Sequence, residues 1–222
     1  MQIIIEVANV SHHKYADTIC QMMGAAAEIR GTGIAKRKPE YVQLKMSEGK
    51  AVIALDDNAV VGFCYIESWE NEKYVANSGL IVHPKYRKTG LAQRIKARIF
   101  QLSIEKFPAA KLFGITTSMA VMKINASLGY QPVTFSELTQ DETFWDGCRS
   151  CGNYDILQRT NKTMCLCTGM VCDLKSVPNK PNKQIQKKAW ERFIQFIKFR
   201  KLRLLAKAKQ YPKLNKLSNN EK

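Results

Sequence analysis

Between Leu80 and Ala92 the sequence reads Leu80-Ile81-Val82-His83-Pro84-Lys85-Tyr86-Arg87-Lys88-Thr89-Gly90-Leu91-Ala92. This is an apolar strand that stops at Pro84, a run of cations, and a glycine at the start of a helical apolar pattern. The first backbone N–H groups of a helix have no partner within it, and the helix dipole adds partial positive charge there. Such a turn is shaped to receive a phosphate or pyrophosphate. Gly90 lets an anion approach the backbone, and Arg87 and Lys88 supply charge. A plain helix start with solvated cations has the same residues, so the turn alone does not decide.

A second set of reactive side chains lies further on. Cys148-Arg149-Ser150-Cys151 and Cys165-Leu166-Cys167 form C-x2-C and C-x-C pairs, with Cys172 nearby. Residues 154–157 and 164–171 read as a hairpin around Thr160-Asn161-Lys162. On a strand Cys165 and Cys167 point to one face, and a C-x2-C turn at the hairpin mouth completes a four-thiolate tetrahedron suited to structural zinc. The expected ligands are Cys148, Cys151, Cys165 and Cys167; four reduced cysteines packed as small hydrophobes are the alternative.

The elements that must position these groups follow from periodicity. A short strand at residues 3–7 precedes a helix at 14–30, where Tyr15, Ile19, Met22, Met23, Ala26 and Ile29 recur at helical spacing and Gly31 follows as a stop. Pro39 opens a second helix that closes near Gly49. Three strands follow in hairpin succession, at 50–55, 60–69 and 74–82, with turns at Asp56-Asp57-Asn58 and Glu70-Asn71-Glu72. A helix to about Lys106, a strand at 112–116 and a helix at 119–128 come next. An antiparallel meander followed by a βαβ-like crossover predicts an α+β fold, a mixed central sheet with flanking helices.

Of the 222 residues, 45% are hydrophobic, enough to bury a core and to exclude disorder throughout. No apolar run reaches membrane-spanning length, and Glu6 stands where a secretory signal carries positive charge, so a cytoplasmic protein is expected. Seven cysteines in a reducing compartment serve as core residues, ligands or reactive thiols rather than a disulfide scaffold. The formal charge is +16, but residues 174–222 hold 15 of the 35 Lys and Arg against 2 of the 19 acids, leaving 20 against 17 in the body. Three units are expected: a domain over 1–135, a Cys-rich β-hairpin extension over 136–173, and a basic linker and amphipathic helix over 174–222. Trp190, Phe193, Ile194, Ile197, Leu204, Leu205 and Ala208 share one face of that helix, which must dock on its own body, a dimer mate, another partner, an anionic membrane surface or RNA. The near-neutral body makes nucleic acid an unexpected partner for the domain itself.

Arg87-Lys88-Thr89-Gly90-Leu91-Ala92 resembles the Arg/Gln-x-x-Gly-x-Gly/Ala signature of the GCN5-related N-acetyltransferase (GNAT) superfamily, and the order of elements over residues 1–135 is similar to that family's. The resemblance implies that amides within Arg87, Lys88, Thr89, Gly90, Leu91 and Ala92 hold the coenzyme A pyrophosphate. It implies that Leu80, Ile81 and Val82 pair their backbone with the pantetheine arm, and that Ile115-Thr116-Thr117-Ser118 and Asn125-Ala126-Ser127-Leu128-Gly129-Tyr130 complete the acyl site. Aligning Gly129 on the family's glycine puts Asn125 where many members carry a Tyr that protonates the departing thiolate. A carboxamide cannot do that; it can hydrogen-bond the thioester or sulfur instead. The amine must be neutral to attack, so a base is required. Glu67, near the end of the strand beside the CoA-binding strand, is the candidate, with a solvent-facing strand carboxylate as its plainer reading.

Residues 30–41 and 49–54 resemble the front of the N-acetylglutamate synthases of arginine biosynthesis, where a Gly-Ile-x-x-Arg stretch lies over the amino-acid site. Arg37 can grip one carboxylate of an acidic amino acid bidentately while Lys36 supplies a second charge. The implied reaction moves an acyl group from acetyl-CoA or succinyl-CoA to a small amine, an amino acid such as glutamate. Two function classes stay open: this N-acyltransferase, or a CoA-binding regulatory module whose basic tail contacts a partner protein or nucleic acid.

Overall fold

The computed structural model describes residues 3–30, 37–177, 191–192, 194–200 and 202. Strand β1 (Ile4–Val7) leads through a 3-10 turn (Val10–Tyr15) into α1 (Ala16–Arg30); α2 (Pro39–Ser47) follows, with Pro39 in its first turn as expected. The meander is β2 (Ala51–Asp56), β3 (Ala59–Trp69) and β4 (Tyr74–Val82). Then come α3 (Leu91–Lys106), β5 (Lys111–Thr116), α4 (Met119–Ser127) and β6 (Gln131–Val133). Two short helices, α5 (Glu142–Asp146) and α6 (Tyr154–Arg159), precede β7 (Thr168–Asp173).

The strands form one seven-stranded sheet in the order β1-β2-β3-β4-β5-β7-β6. Every pair is antiparallel except β4 and β5. That parallel step is the switch in strand direction expected from the βαβ crossover. Helix α3 covers one face through Leu91, Ile95 and Ile99, all essentially inaccessible, each burial stabilising by roughly 1.5 to 3 kcal/mol. Helices α1 and α2 cover the other face through Ile19, Met23, Val42 and Met46. A third, aromatic cluster of Trp69, Tyr74, Phe113, Phe135, Phe144 and Trp145 closes the β5 end.

The Cys-rich hairpin is not there. Residues 154–159 form α6 rather than a strand, with Asp155 in its first turn, Arg159 in its last, and Leu157 buried. Those charges complement the helix dipole, and that outweighs the weak strand pattern. Strand β7 pairs instead with β5, from Lys111↔Asp173 to Thr116↔Thr168, and with β6, so residues 168–173 belong to the central sheet. Gly31 and Lys36 lie outside the described residues, as do Trp190, Phe193, Leu204, Leu205 and Ala208. The described part of the C-terminal helix, within 191–202, sets Ile194 and Ile197 against the α3-side core, and Arg200 donates to Thr168 Oγ1 at 2.8 Å. Among the described residues, no helix is long and apolar enough to cross a membrane.

Candidate active site

Strand β4 is the axis of the site. It pairs with β5 only from Tyr74↔Lys111 to Ala76↔Phe113; beyond Asn77 and Gly114 the two parallel strands diverge. On the β3 side Tyr65 faces Ser78 and Phe63 faces Ile81, so Gly79 and Leu80 both stand opposite Cys64 in a bulge. Gly79 has φ +64°, and a Cβ there would lie 2.4 Å from Tyr65 Cε1 and 2.9 Å from Met23 Cε, so only glycine fits. The fork therefore exposes strand backbone beside a fixed kink, an edge to which an extended polar ligand can add as a strand would.

At the outer end of β4 lies the basic turn. Gly90 caps α3 at φ +83° with open space where a Cβ would sit, and Lys88 also has positive φ. Three internal ties hold the turn: Tyr86 Oη donates to Asp56 Oδ2 at 2.6 Å, Thr89 Oγ1 donates to the Tyr86 carbonyl at 2.7 Å, and Arg87 Nε donates to the Val82 carbonyl at 3.4 Å. Lys85, Arg87 and Lys88 stay exposed, leaving a cationic helix N-terminus open to an anion.

At the inner end the fork opens on a cavity of about 810 Å³. Its floor is residues 77–81 of β4 and 114–118 of β5 and the α4 start. Leu80, Ile81 and Ser118 line it, whereas Val82 and the 87–92 turn lie outside, along the same strand. Ser118 caps α4 by accepting from Val121 N at 3.4 Å. Asn125 on α4 is 2% exposed; its amide nitrogen reaches only Met170 Sδ, at 4.0 Å, and its Oδ1 is buried without a hydrogen-bond partner. A buried acceptor left unmatched costs free energy until a donor arrives. A Cβ at Gly114 would sit 3.8 Å from that amide, which places Asn125 beneath the fork.

Two walls face each other across the cavity. One carries Arg37, Tyr41, Tyr65 and Glu67. Arg37 Nε donates to Tyr65 Oη at 2.9 Å and its guanidinium lies 5.1 Å from the Tyr41 ring centroid. Glu67 accepts from Lys45 Nζ at 2.8 Å. Burial raises the Glu67 carboxyl above its ordinary range, with the Ser68 N–H and the Arg37 charge pulling it back. Burial likewise pushes Lys45 below the usual lysine range, and the close ion pair favours both charged forms. The opposite wall carries Cys148, Cys151, Cys165 and Cys167. Burial and then mutual repulsion push the Cys148 thiol up to about 11 and that of Cys167 to about 12. All four cysteines line the one cavity, carried by a loop and the approach to β7 rather than by a hairpin. Among the described residues no group of three or more His, Cys, Asp or Glu side chains is placed to hold a metal ion.

Sequence reasoning missed Tyr41, Lys45 and Tyr65. The signals were present: Arg37, Tyr41 and Lys45 are spaced by four, as on one helix face, and Tyr65 and Glu67 alternate on one face of β3.

The family model for acetyltransferases of the GNAT type matches residues 28–117. Comparison with curated proteins gives no match. Among solved structures, the chain is similar to N-acetylglutamate synthase from Neisseria gonorrhoeae complexed with coenzyme A and N-acetyl-glutamate, at 18% identity and TM-score 0.55 over 78% of this chain and 35% of that one. It is similar to a phosphinothricin acetyltransferase from Sinorhizobium meliloti in complex with AcCoA, at 14% identity and TM-score 0.52 over 82% and 95%. An N-acetyltransferase from Staphylococcus aureus Mu50 aligns at 12% identity and TM-score 0.53 over 79% and 100%. The chain spans about a third of the length of the N-acetylglutamate synthase. These likenesses are of fold. The stretch that the acetyltransferase (GNAT) family model matches takes in Arg37, Glu67, the β4 bulge and the basic turn.

Proposed function

We propose that the protein moves an acyl group from acyl-CoA to the amino group of an amino-acid acceptor such as glutamate. The observation that carries this reading is that the bulged β4 fork runs from a cationic helix N-terminus into a cavity bearing both a carboxylate and a guanidinium. The pyrophosphate rests on the 87–92 turn, and the pantetheine arm lies along Leu80 and Ile81, with Asn125 Oδ1 accepting an amide hydrogen from it. Arg37 and Lys36 hold the acceptor's carboxylates. Glu67 takes a proton from the ammonium, directly or through water; the amine attacks the thioester carbonyl, the C–N bond forms, and the C–S bond breaks to release CoA thiolate, which takes up a proton. A carboxyl lifted by burial is a stronger base than a free one. Free-thiol release should follow mixing with acetyl-CoA or succinyl-CoA and an acidic amino acid, the faster donor fixing the acyl chain. CoA binding without acceptor-dependent thiol release would replace this reading by the regulatory module.

We also propose that Cys148, Cys151, Cys165 and Cys167 take up zinc. Their support is proximity: beyond burial, which is the larger cause, neighbouring cysteines raise the half-buried Cys148 and the buried Cys167 thiols, a penalty that a divalent soft cation would reverse. Binding requires the 148–151 turn to close on 165–167. Protein purified without chelator should carry close to one equivalent of zinc; less than about a tenth would overturn the assignment.

A further inference from the structure

The C-terminal helix uses one stripe to dock and leaves another outward. Ile194 and Ile197 face the core, and at 3.6 residues per turn Phe199 falls on the opposite side. Phe199 is 66% exposed and Leu202 62% exposed, with Arg192, Gln195 and Lys198 exposed beside them. A docked helix normally turns polar residues outward, so an aromatic and a leucine there call for a partner. Among the described residues of the helix the exposed charges are Glu191, Arg192 and Lys198, and over residues 174–222 the sequence is one-sided, with 15 Lys and Arg against 2 acids.

We propose that this outward face binds an anionic lipid surface, with Phe199 and Leu202 entering the boundary between headgroups and acyl chains while the surrounding Lys and Arg meet lipid phosphates. Charge complementarity selects the partner. A second copy of the chain would bring two cationic segments together and be repelled. Single-stranded RNA would satisfy the charge, but it is gripped by stacking on planar rings, for which the aliphatic Leu202 offers nothing. Exposed apolar side chains on a helix within a strongly cationic segment match the interfacial mode, in which a helix lies on the bilayer without spanning it. The inference is independent of the acyl-transfer reading.

The test is co-sedimentation of the full chain with phosphatidylcholine vesicles, with and without phosphatidylglycerol, at low salt. Partition should appear only with the anionic lipid. Phe199→Ser with Leu202→Ser removes apolar surface without changing charge and should lower that partition at least about ten-fold. Both side chains are exposed, so the melting temperature and thiol-release activity should stay at parent values. A Phe199→Trp variant should shift its fluorescence to the blue on anionic vesicles. No partition onto phosphatidylglycerol would overturn the proposal, as would equal partition by the double Ser variant. So would a self-association that the double Ser variant abolishes, or tighter binding of poly(U) than of anionic vesicles.

Discussion

The two halves of the proposed site, one for the acyl donor and one for the acceptor, are built from different materials. The donor half, the β4 fork and the 87–92 turn, is mostly main chain: a bulge fixed by Gly79, a helix N-terminus fixed by Gly90, and a strand edge left open where β4 leaves β5. The acceptor half is mostly side chain, with Arg37 and Tyr41 arriving from the α2 end, Tyr65 and Glu67 from β3, and four thiols from beyond β6. A backbone site recognises what every acyl-CoA has in common, whereas a side-chain site can be changed one residue at a time. The division predicts that substitutions in the two halves separate cleanly in kinetics.

The largest effect expected is at Glu67. Replacing a general base by an isosteric amide should lower turnover on the order of 10² to 10⁴-fold, and Glu67→Gln should leave CoA affinity at the parent value. In the parent, activity should rise with pH along a limb set above the ordinary carboxylate range, because burial raises the Glu67 carboxyl and only its ionised form can accept a proton. That limb should vanish in Glu67→Gln. A pH–rate profile unchanged by the substitution would remove Glu67 from the mechanism.

Gly90→Val tests the other half. A Cβ there meets nothing within 4 Å, so the chain should still fold, at a cost of about 1 to 2 kcal/mol for a β-branched residue at positive φ. The side chain would occupy the space through which an anion reaches the amides, and CoA affinity measured by calorimetry should fall at least roughly a hundred-fold. Retained CoA affinity would dissolve the distinction between the halves. Arg37→Ala is the mirror experiment: acceptor KM should rise about thirty- to a hundred-fold, the equivalent of roughly 2 to 3 kcal/mol, with donor KM unmoved. Arg37→Lys should recover only part, since a point charge cannot reproduce the guanidinium fork or its bond to Tyr65 Oη. A preference for a polyamine acceptor would reverse the assignment.

The same division explains what could be read from the sequence. The meander, the crossover and the glycine turn are local: Asp56 to Asn58, Glu70 to Glu72 and Pro84 to Gly90 carry their own turn chemistry, and the strands between them alternate or run apolar. Glu67 was legible because a family resemblance located the strand beside the CoA strand. The four-residue spacing of Arg37, Tyr41 and Lys45 marks a shared helix face, but the pairing of Lys45 with Glu67, 22 positions away, leaves no periodic trace. Strand β7 was found but given the wrong neighbour, since pairing with β5 depends on the open edge that the crossover creates and not on residues 154–162. Tyr154 to Arg159 misled because six residues are too few for periodicity to separate helix from strand.

The smallest effect expected lies behind the donor half, where α3 carries a residue that its core does not suit. Lys96 is 3% exposed among apolar neighbours, with its Nζ 5.3 Å from the Tyr130 ring centroid and Cys64 nearby. Burial pushes its pKa down to about 8 from the ordinary 10.5. The sign follows from which state holds the proton more tightly. Between about pH 8 and 10.5 the unfolded chain keeps a proton that the folded chain has released, so in that window stability rises with pH. Below about pH 8 both states are charged and the full cost of burying the ammonium is felt. Taking 1.36 kcal/mol per pKa unit, that cost is on the order of 3 kcal/mol. Lys96→Met fills a similar volume without the charge but gives up the contact with the Tyr130 ring, so its net gain in urea unfolding at pH 7 should be roughly 1 to 2 kcal/mol. The gain should shrink toward zero by pH 10, while CoA affinity and acceptor KM stay at parent values. A destabilised Lys96→Met would mean that Lys96 has an anionic partner in the folded protein, and a gain that does not fall with pH would mean that burial does not lower its pKa.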